Sequence, residues 1–227
     1  MKKRIYIITD SIGCPREETM VEVTWVDRFI QKWGGDYAIY TYCQRGLSLG
    51  NVVSDYVLQY SPDVIITQMG IVDSARRVLR PMVQNFLSKL LGNNSKIIKN
   101  YIQKNHYKLT QKKDYHYFSI EGYKAFYNNL LRLSQTNLII VPIQPASDYM
   151  KKQVYRIQED IDLYNEVFYE IAQDYPNRVF VAETWDRISE MEAYVLSDGH
   201  HLTENGHNLV FDSVDKIMTE ISNGLQS

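Results

Sequence analysis

The sequence predicts an α/β protein with a three-layer, doubly wound fold around a parallel five-stranded sheet. Five short runs rich in β-branched and aromatic residues recur along the chain, and stretches with helical spacing separate them. The runs are almost continuously apolar, which is typical of parallel strands covered by helices on both faces. The length of 227 residues fits one domain, and no repeat or Pro-, Gly- or Ser-rich linker divides it. A single domain over residues 1–227 is therefore predicted.

The predicted elements alternate in order along the chain. The strand runs span residues 4–10, 37–43, 63–70, 137–145 and 178–183. Helical spacing appears at residues 20–33, 48–60, 151–174 and 204–222. The last of these helices begins after Thr203, whose side chain is well placed to act as its N-cap. Strand–helix alternation of this kind predicts parallel β–α–β units.

One interval breaks this rhythm. The third and fourth strands are separated by 66 residues, whereas a parallel crossover needs only about a dozen. Helical patterns occupy the interval at residues 82–91, 96–105 and 120–133. We therefore predict a mostly helical insertion at about residues 75–133, after strand three.

The charge is distributed unevenly, although the whole chain carries only −2. Residues 75–132 contain twelve Lys and Arg but only two acids, so this segment carries +10 and the remainder −12. A basic segment attracts anionic partners such as an acidic glycan, phosphate, lipid headgroups or nucleic acid. An equally good interpretation is that these basic side chains form a solvated helical face that binds no partner.

The compartment is predicted from the cysteines and from the apolar runs. Cys14 and Cys43 form no disulfide framework and no CxxC pair, which favours reduced thiols in a cytoplasmic protein. The apolar run at residues 5–8 is too short for a signal peptide, and no run reaches the roughly 18 residues of a membrane span. We expect no transmembrane segment, while peripheral membrane contact stays open.

Polar residues that follow the strands are the candidate site residues, because ligands of parallel α/β sheets bind at the carboxyl ends of strands. Asp10 and Ser11 follow the first strand, Arg45 and Gly46 follow the second, and a Gly-x-x-Asp segment at residues 70–73 follows the third. The stretch LSDGHHLTENGH at residues 196–207 follows the fifth strand and holds three of the five histidines. Strand ends from four parts of the chain are thus expected to meet at one edge.

A serine, a histidine and an aspartate at one edge predict nucleophilic catalysis. Ser11 is the candidate nucleophile, His201 the base and Asp198 the residue that orients the base. A metal site is the alternative for the same histidines, but the stretch lacks an acid or cysteine cluster to complete a ligand set. We therefore predict no metal and no cofactor, and interpret His200 and His207 as exposed or capping residues.

These stretches resemble the four sequence blocks of the SGNH (GDSL-type) hydrolase superfamily, in the same order. Thr9-Asp10-Ser11 is similar to the first block, and Asp198-Gly199-His200-His201-Leu202-Thr203 matches the last, D-x-x-H-L-T. Arg45-Gly46 is similar to the second block, whose glycine belongs to the oxyanion hole, and Gly70-Ile71-Val72-Asp73 lines up with the third, G-x-N-D. The resemblance implies a serine esterase whose oxyanion donors include the backbone N–H groups of Ser11 and Gly46.

Two residues depart from the family pattern. Thr9 replaces the usual glycine, and Val72 replaces the asparagine that donates to the oxyanion. The G-I-V-D segment with a following arginine also resembles a variant found with bacterial polysaccharide biosynthesis. We predict that Arg76 or Arg77 supplies the missing positive charge or binds an anionic substrate, with Arg16 at the mouth of the site. Asp73 is assigned to substrate binding as well, either by holding one of these arginines or as a helix cap.

Two functions from different classes follow. The first is a serine-dependent ester hydrolase or acyltransferase that acts on a carbohydrate, such as a bacterial surface-polysaccharide precursor. This substrate carries an anionic group if an arginine of the site binds it. The second is a catalytically degenerate SGNH domain that binds an anionic glycan or a lipid-linked sugar, which the Val72 substitution favours. Nucleic-acid binding would rest on the basic segment alone, and we predict none.

Overall fold

The computed structural model describes residues 2–92, 95–113, 115–185, 188 and 190–224. Its centre is a sheet of five parallel strands in the order β2-β1-β3-β4-β5. The strands are β1 (Lys3–Thr9), β2 (Tyr37–Cys43), β3 (Val64–Gln68), β4 (Asn137–Ile140) and β5 (Val179–Val181). Every predicted strand is present, and the predicted fold class is confirmed.

The apolar character of each strand follows its place in the sheet. All five residues of the central strand β3 are buried, whereas the edge strand β2 has exposed residues at Tyr40, Thr41 and Cys43. A central parallel strand is covered by helices on both faces, which favours the apolar run Val64–Ile66. The buried polar residues at its carboxyl end are hydrogen-bonded, Thr67 to the Tyr127 hydroxyl and Gln68 to the Trp25 indole N–H.

Ten helices accompany the sheet in the described part of the chain. They are α1 (Trp25–Trp33), α2 (Ser54–Gln59), α3 (Ile71–Ser74), α4 (Pro81–Leu91), α5 (Ser95–Lys104), α6 (His106–Gln111), α7 (Ile120–Leu133), α8 (Asp148–Gln153), α9 (Ile157–Asp174) and α10 (Glu204–Gly224). Helix α1 packs against α10, and α7 packs against both α2 and α9. The chain moves in one direction across the sheet from β1 to β2 and in the other from β2 onward. Right-handed crossovers therefore place α1 on the opposite face from α2, α7 and α9.

The boundaries of two predicted helices differ from the structure. The helix predicted at residues 151–174 is broken into α8 and α9, because Arg156 adopts a left-handed backbone conformation with φ of 55°. Apolar spacing does not reveal this break, since Met150 and Ile157 are buried on either side of it. The helix predicted at residues 48–60 begins as a short 3-10 turn, Leu49–Asn51, before α2.

The stretch after β3 is helical, as predicted. Helix α7 buries Tyr123, Tyr127, Leu130 and Leu131 and packs against α9, so it belongs to the helical layer of the sheet. Helices α4 to α6 are additional to the sheet and its layers, and α6 lies in a polar stretch where no helix was predicted. Asn93, Asn94 and Asp114 of this segment fall outside the described residues. Within the described chain, no helix has both the length and the apolar character that crossing a bilayer requires.

Candidate active site

The crevice of this sheet lies between β1 and β3. These strands are neighbours, but the chain leaves β1 towards β2 and leaves β3 towards β4. Their following loops therefore separate, and the gap between them is where ligands bind in doubly wound sheets. Ser11 follows β1 and Val72 follows β3, so both stand at this gap.

The turn after β1 fixes the position of Ser11. Ser11 begins a 3-10 turn, Ser11–Gly13, in which the Asp10 carboxylate accepts a hydrogen bond from the Ile12 N–H at 2.9 Å. The Gly13 N–H donates to the Thr9 hydroxyl at 3.1 Å. Thr9, which stands where the resembled sequence block has glycine, thus stabilises the turn that carries Ser11.

Ser11, His201 and Asp198 form a continuous hydrogen-bonded chain. The Ser11 Oγ lies 3.0 Å from His201 Nε2, and His201 Nδ1 lies 2.5 Å from Asp198 Oδ2. The second carboxylate oxygen of Asp198 accepts from the backbone N–H groups of His200 and His201, both at 3.1 Å. With its proton on Nδ1, His201 presents a basic Nε2 to the serine hydroxyl. This is the arrangement in which a serine becomes a nucleophile.

The loop that carries Asp198 and His201 is held by residues from two other segments. Gln144, in the loop after β4, donates from Nε2 to the His200 carbonyl at 2.7 Å, and the Thr19 hydroxyl donates to the Leu202 carbonyl at 3.2 Å. Gly199 permits the tight turn between the aspartate and the histidines, because its φ of +81° is unfavourable for other residues and a Cβ would lie 2.5 Å from Ser147 Oγ.

The electrostatics of the Asp198–His201 pair favour a carboxylate beside a neutral imidazole. Burial alone would raise the pKa of Asp198, but hydrogen bonds from His201 and from the backbone outweigh it and lower the pKa to about 2. Burial, with the electrostatic influence of His200 and Arg16, lowers the pKa of His201 to about 4, although its bond to Asp198 acts in the opposite direction. At neutral pH the base is therefore unprotonated and able to accept the serine proton.

Arg16 and Asp10 are two further ionisable residues close to Ser11, His201 and Asp198. A guanidinium nitrogen of Arg16 contacts His201 Nε2, the atom that also faces Ser11. Asp10 is buried, and one of its carboxylate oxygens has no partner among the described residues. Burial, together with the nearby Asp73, raises the pKa of Asp10 to about 7. Arg16 thus lies beside His201, and its predicted role in substrate binding stays a prediction.

Two of the predicted substrate-binding residues do not face the site. Asp73 has no exposed surface, and its carboxylate accepts hydrogen bonds from the Ser48 hydroxyl, the Leu49 N–H and the Tyr123 hydroxyl. Arg76 is also buried and forms a two-nitrogen ion pair with Asp160 of α9. These positions do not suit substrate binding. Neither side chain lines the cavity, because proximity to a strand end in the sequence does not determine which way a side chain points.

Of the two arginines that follow β3, Arg77 is the one that lines the cavity. One of its guanidinium nitrogens donates to the Val72 carbonyl at 2.8 Å, and the guanidinium lies 4.6 Å from the centre of the Tyr117 ring. Its Nε is buried without a partner among the described residues. Burial lowers the pKa of Arg77, but an arginine keeps its charge at neutral pH. Position 72, where the sequence resemblance would place an asparagine donor, is therefore occupied by an apolar side chain with a guanidinium next to it.

The loop that carries Gly46 adjoins the loop that carries Ser11. The Gln44 N–H donates to the Thr9 carbonyl at 3.2 Å, and Arg45 donates to the Pro15 carbonyl at 2.9 Å. Gly46 itself is exposed. Its predicted role as an oxyanion donor stays a prediction.

A cavity of about 600 Å³ opens beside the reacting residues. Ser11, Asp198 and His200 line it at one end, and Val72 and Arg77 line it as well. Apolar side chains contribute to the rest of the wall, among them Leu91 of α4, Ile98 and Ile102 of α5, Met150 of α8 and Val154, which follows α8. The volume is within the range of small-molecule sites. The sequence did not predict that α5 and α8 contribute to the cavity wall. The apolar residues at helical spacing in these segments indicated an inward-facing side, but not that this side borders the site.

The remaining histidines of the stretch have different surroundings. His207 is buried, and its Nδ1 accepts the Trp25 N–H at 3.3 Å, so it caps the first turn of α1. The His200 ring lies 4.0 Å from the His201 ring, centre to centre. Asp198, His200 and His201 have potential ligand atoms within 4.8 Å of one another. A metal there would compete for His201, whose two ring nitrogens already face Asp198 and Ser11, and the prediction of no metal stays a prediction.

Comparison with known proteins shows the fold. No protein-family model matches the sequence, and no curated protein matches it. A lipase/acylhydrolase from Enterococcus faecalis is similar in structure with a TM-score of 0.65, 12% identity and 95% of both chains covered. An acetyl xylan esterase from Geobacillus stearothermophilus gives a TM-score of 0.60 at 13% identity, covering 93% of this chain and 92% of its own. A putative lipolytic protein of the G-D-S-L family from Desulfitobacterium hafniense gives 0.58 at 12% identity, covering 95% and 99%. The chain therefore has the SGNH (GDSL-type) hydrolase fold.

Proposed function

We propose that this protein is a serine-dependent O-acyl esterase or acyltransferase whose substrate is an acylated carbohydrate. The observation that carries the proposal is the chain of hydrogen bonds from Ser11 through His201 to Asp198 at the wall of a cavity. An esterase fold without such a chain would support only a binding role.

The chemistry proceeds in two steps. Ser11 Oγ attacks the ester carbonyl while His201 Nε2 takes the hydroxyl proton, and Asp198 stabilises the imidazolium that results. The tetrahedral intermediate expels the alcohol, which takes the proton back from His201, and leaves an acyl group on Ser11. Water or a sugar hydroxyl then attacks the acyl-enzyme by the same route, giving hydrolysis or acyl transfer respectively.

The negative charge of the tetrahedral intermediate is met by three groups in this proposal. The backbone N–H groups of Ser11 and Gly46 donate to the oxyanion, and Arg77 replaces the asparagine that is absent at Val72. The position of the Arg77 guanidinium on the Val72 carbonyl, with one buried nitrogen unpaired, supports this assignment. A charged donor in a pocket shielded from water stabilises developing charge more strongly than a neutral one.

A carbohydrate substrate is supported by the composition of the cavity wall and by one structural neighbour. Two aromatic residues, Tyr117 and Tyr149, and two residues with side-chain amides, Gln103 and Gln153, are among those that line the cavity. The neighbour is the protein described as an acetyl xylan esterase. A bacterial surface-polysaccharide precursor is the carbohydrate that we propose, on the basis of the G-I-V-D segment at residues 70–73.

The test is reaction with a fluorophosphonate probe, followed by an ester panel of aryl esters and acylated sugars with increasing acyl length. We expect wild type to be labelled and to hydrolyse at least one ester, and Ser11→Ala to do neither. Ser74→Ala is the matched control, because the Ser74 hydroxyl is buried close to the site and has no partner among the described residues. Labelling that persists in Ser11→Ala would contradict the proposed nucleophile.

A second candidate function is a binding domain without turnover. Val72 removes one oxyanion donor, and Arg16 contacts the His201 nitrogen that must accept the serine proton. A lone pair that accepts from Arg16 is less available to Ser11. This candidate predicts no labelling of wild type by the probe together with saturable binding of an anionic glycan or lipid-linked sugar.

A further inference from the structure

Helices α4 and α5 expose apolar side chains to an unusual extent. The structure describes eighteen exposed large hydrophobic residues, and six of them lie within residues 81–104, so exposure is concentrated there rather than scattered. On α4 they are Met82, Val83, Phe86 and Leu90, with exposures of 83%, 42%, 63% and 67%. On α5 they are Ile97 and Tyr101, at 69% and 62%.

The spacing of these residues places them on one side of each helix. Met82, Phe86 and Leu90 follow one another at intervals of four, as do Ile97 and Tyr101. The other side of α5 faces inward, because Ile98 and Ile102 line the cavity that holds Ser11. Both helices therefore have apolar residues that the described part of the chain leaves exposed.

The charge of the surrounding segment indicates what kind of binding partner could cover these exposed residues. Residues 75–113 contain ten Lys and Arg and no Asp or Glu. Lys89, Lys96 and Lys104 are exposed on the same two helices. An apolar face bordered by cations and free of acids is the pattern of helices that lie in the interface of an anionic lipid bilayer.

We propose that helices α4 and α5 dock on an anionic membrane surface. Met82, Phe86, Leu90, Ile97 and Tyr101 enter the headgroup region, and the neighbouring lysines contact lipid phosphates. Since α5 also forms a wall of the cavity, docking brings Ser11 close to substrates held in or at the bilayer. The proposal goes beyond the esterase function and does not depend on turnover.

The test is co-sedimentation with lipid vesicles. We expect the protein to bind vesicles of equal parts phosphatidylcholine and phosphatidylglycerol, and to bind pure phosphatidylcholine vesicles at least about tenfold more weakly because the lysines then lack counter-charges. The double variant Phe86→Glu/Leu90→Glu should bind the anionic vesicles at least about tenfold more weakly than wild type. It replaces two apolar side chains that enter the headgroup region with two carboxylates.

The matched control is Tyr56→Glu/Leu133→Glu, which changes two residues of 63% and 57% exposure on α2 and α7. It adds the same charge to another part of the surface and should bind like wild type. Ser11→Ala should also bind like wild type, so loss of esterase activity and loss of docking are separate results.

Three outcomes overturn the proposal. The first is absence of binding to anionic vesicles, and the second is equal weakening by the site and control double variants. The third is a wild-type dimer in size-exclusion chromatography that Phe86→Glu/Leu90→Glu converts to monomer, because a second copy would then be what covers these helices.

Discussion

The turn at Asp198–His201 and the first turn of α10 each carry a buried histidine, and the pKa of each is lowered to about 4, mainly by burial. Their hydrogen bonds differ. His201 has a carboxylate on Nδ1 and a serine hydroxyl on Nε2, whereas the Nδ1 of His207 accepts the backbone N–H of Trp25. Burial and a lowered pKa therefore do not distinguish a reactive histidine from a structural one. The hydrogen bond at Nδ1 does distinguish them. Only a histidine that donates from Nδ1 has an unprotonated Nε2 that can act as a base.

The largest effect is expected from removing either end of the Ser11–His201 pair. Ser11→Ala and His201→Ala should each lower kcat on the order of 10⁶-fold, with the double variant no worse, because the groups act as a unit. His207→Asn should retain most of the activity, since the Asn side-chain oxygen can accept the Trp25 N–H. Steady-state kinetics on the best ester of the panel measures all four variants. A large loss in His207→Asn with activity retained in His201→Ala would reverse the assignment of the two histidines.

Asp198→Asn sharpens the comparison by changing only the partner of Nδ1. An amide there no longer favours a proton on Nδ1 and does not stabilise the imidazolium, so kcat should fall on the order of 10⁴-fold, less than in Ser11→Ala. The fluorophosphonate labelling rate gives a second measurement of the same loss. Wild-type kinetics in Asp198→Asn would show that Asp198 only shapes the turn.

Substitution of Arg77 tests whether its guanidinium replaces the oxyanion donor that is missing at Val72. Arg77→Ala should lower kcat about 10²–10³-fold with little change in KM, the effect of losing one oxyanion donor. Val72→Asn in the Arg77→Ala background should restore part of that rate, and Val72→Asn alone should change little. A rise in KM for anionic substrates at constant kcat would instead assign Arg77 to substrate binding.

The pH dependence of activity follows from the environment of His201. Because its pKa is lowered to about 4, the base stays unprotonated well below the ordinary range of histidine, and kcat/KM should fall only as pH drops through about 4. Arg16→Ala removes one of the charges that lower this pKa, so the midpoint should move upward. A wild-type midpoint near the ordinary histidine pKa of about 6.5 would contradict this description of the site.

The smallest effect concerns stability at the structural histidine. Burial, followed by the charge of Arg28, lowers the pKa of His207 to about 4 in the folded protein, so the unfolded chain binds more protons between about pH 4 and 6.5. Stability should therefore fall as pH drops through this window, by at most about 3 kcal/mol from this residue. Thermal unfolding at pH 7 and pH 4 should show a smaller drop for His207→Asn than for wild type. Equal drops would mean that the acid sensitivity arises elsewhere.

The sequence by itself determined the fold class, because near-continuous apolar strands and amphipathic helices in alternation are compatible with few architectures. It also predicted which strand ends carry Ser11, Asp198 and His201. These inferences depend on the order and spacing of residues within short segments, which are the same before and after folding. The breaks within helices were not predictable in this way, since Met150 and Ile157 continue the apolar pattern across the left-handed Arg156.

Tertiary structure decided the direction of each side chain. Asp73, Arg76 and Arg77 all follow β3, yet the first is enclosed by Ser48, Leu49 and Tyr123, the second is paired with Asp160, and only the third lines the cavity. The partners Tyr123 and Asp160 lie 50 and 84 residues away in the chain. The role of a charged residue depends on what meets it when distant segments pack, because a buried charge is stable only with a partner. No spacing rule within the segment at residues 70–77 contains that information.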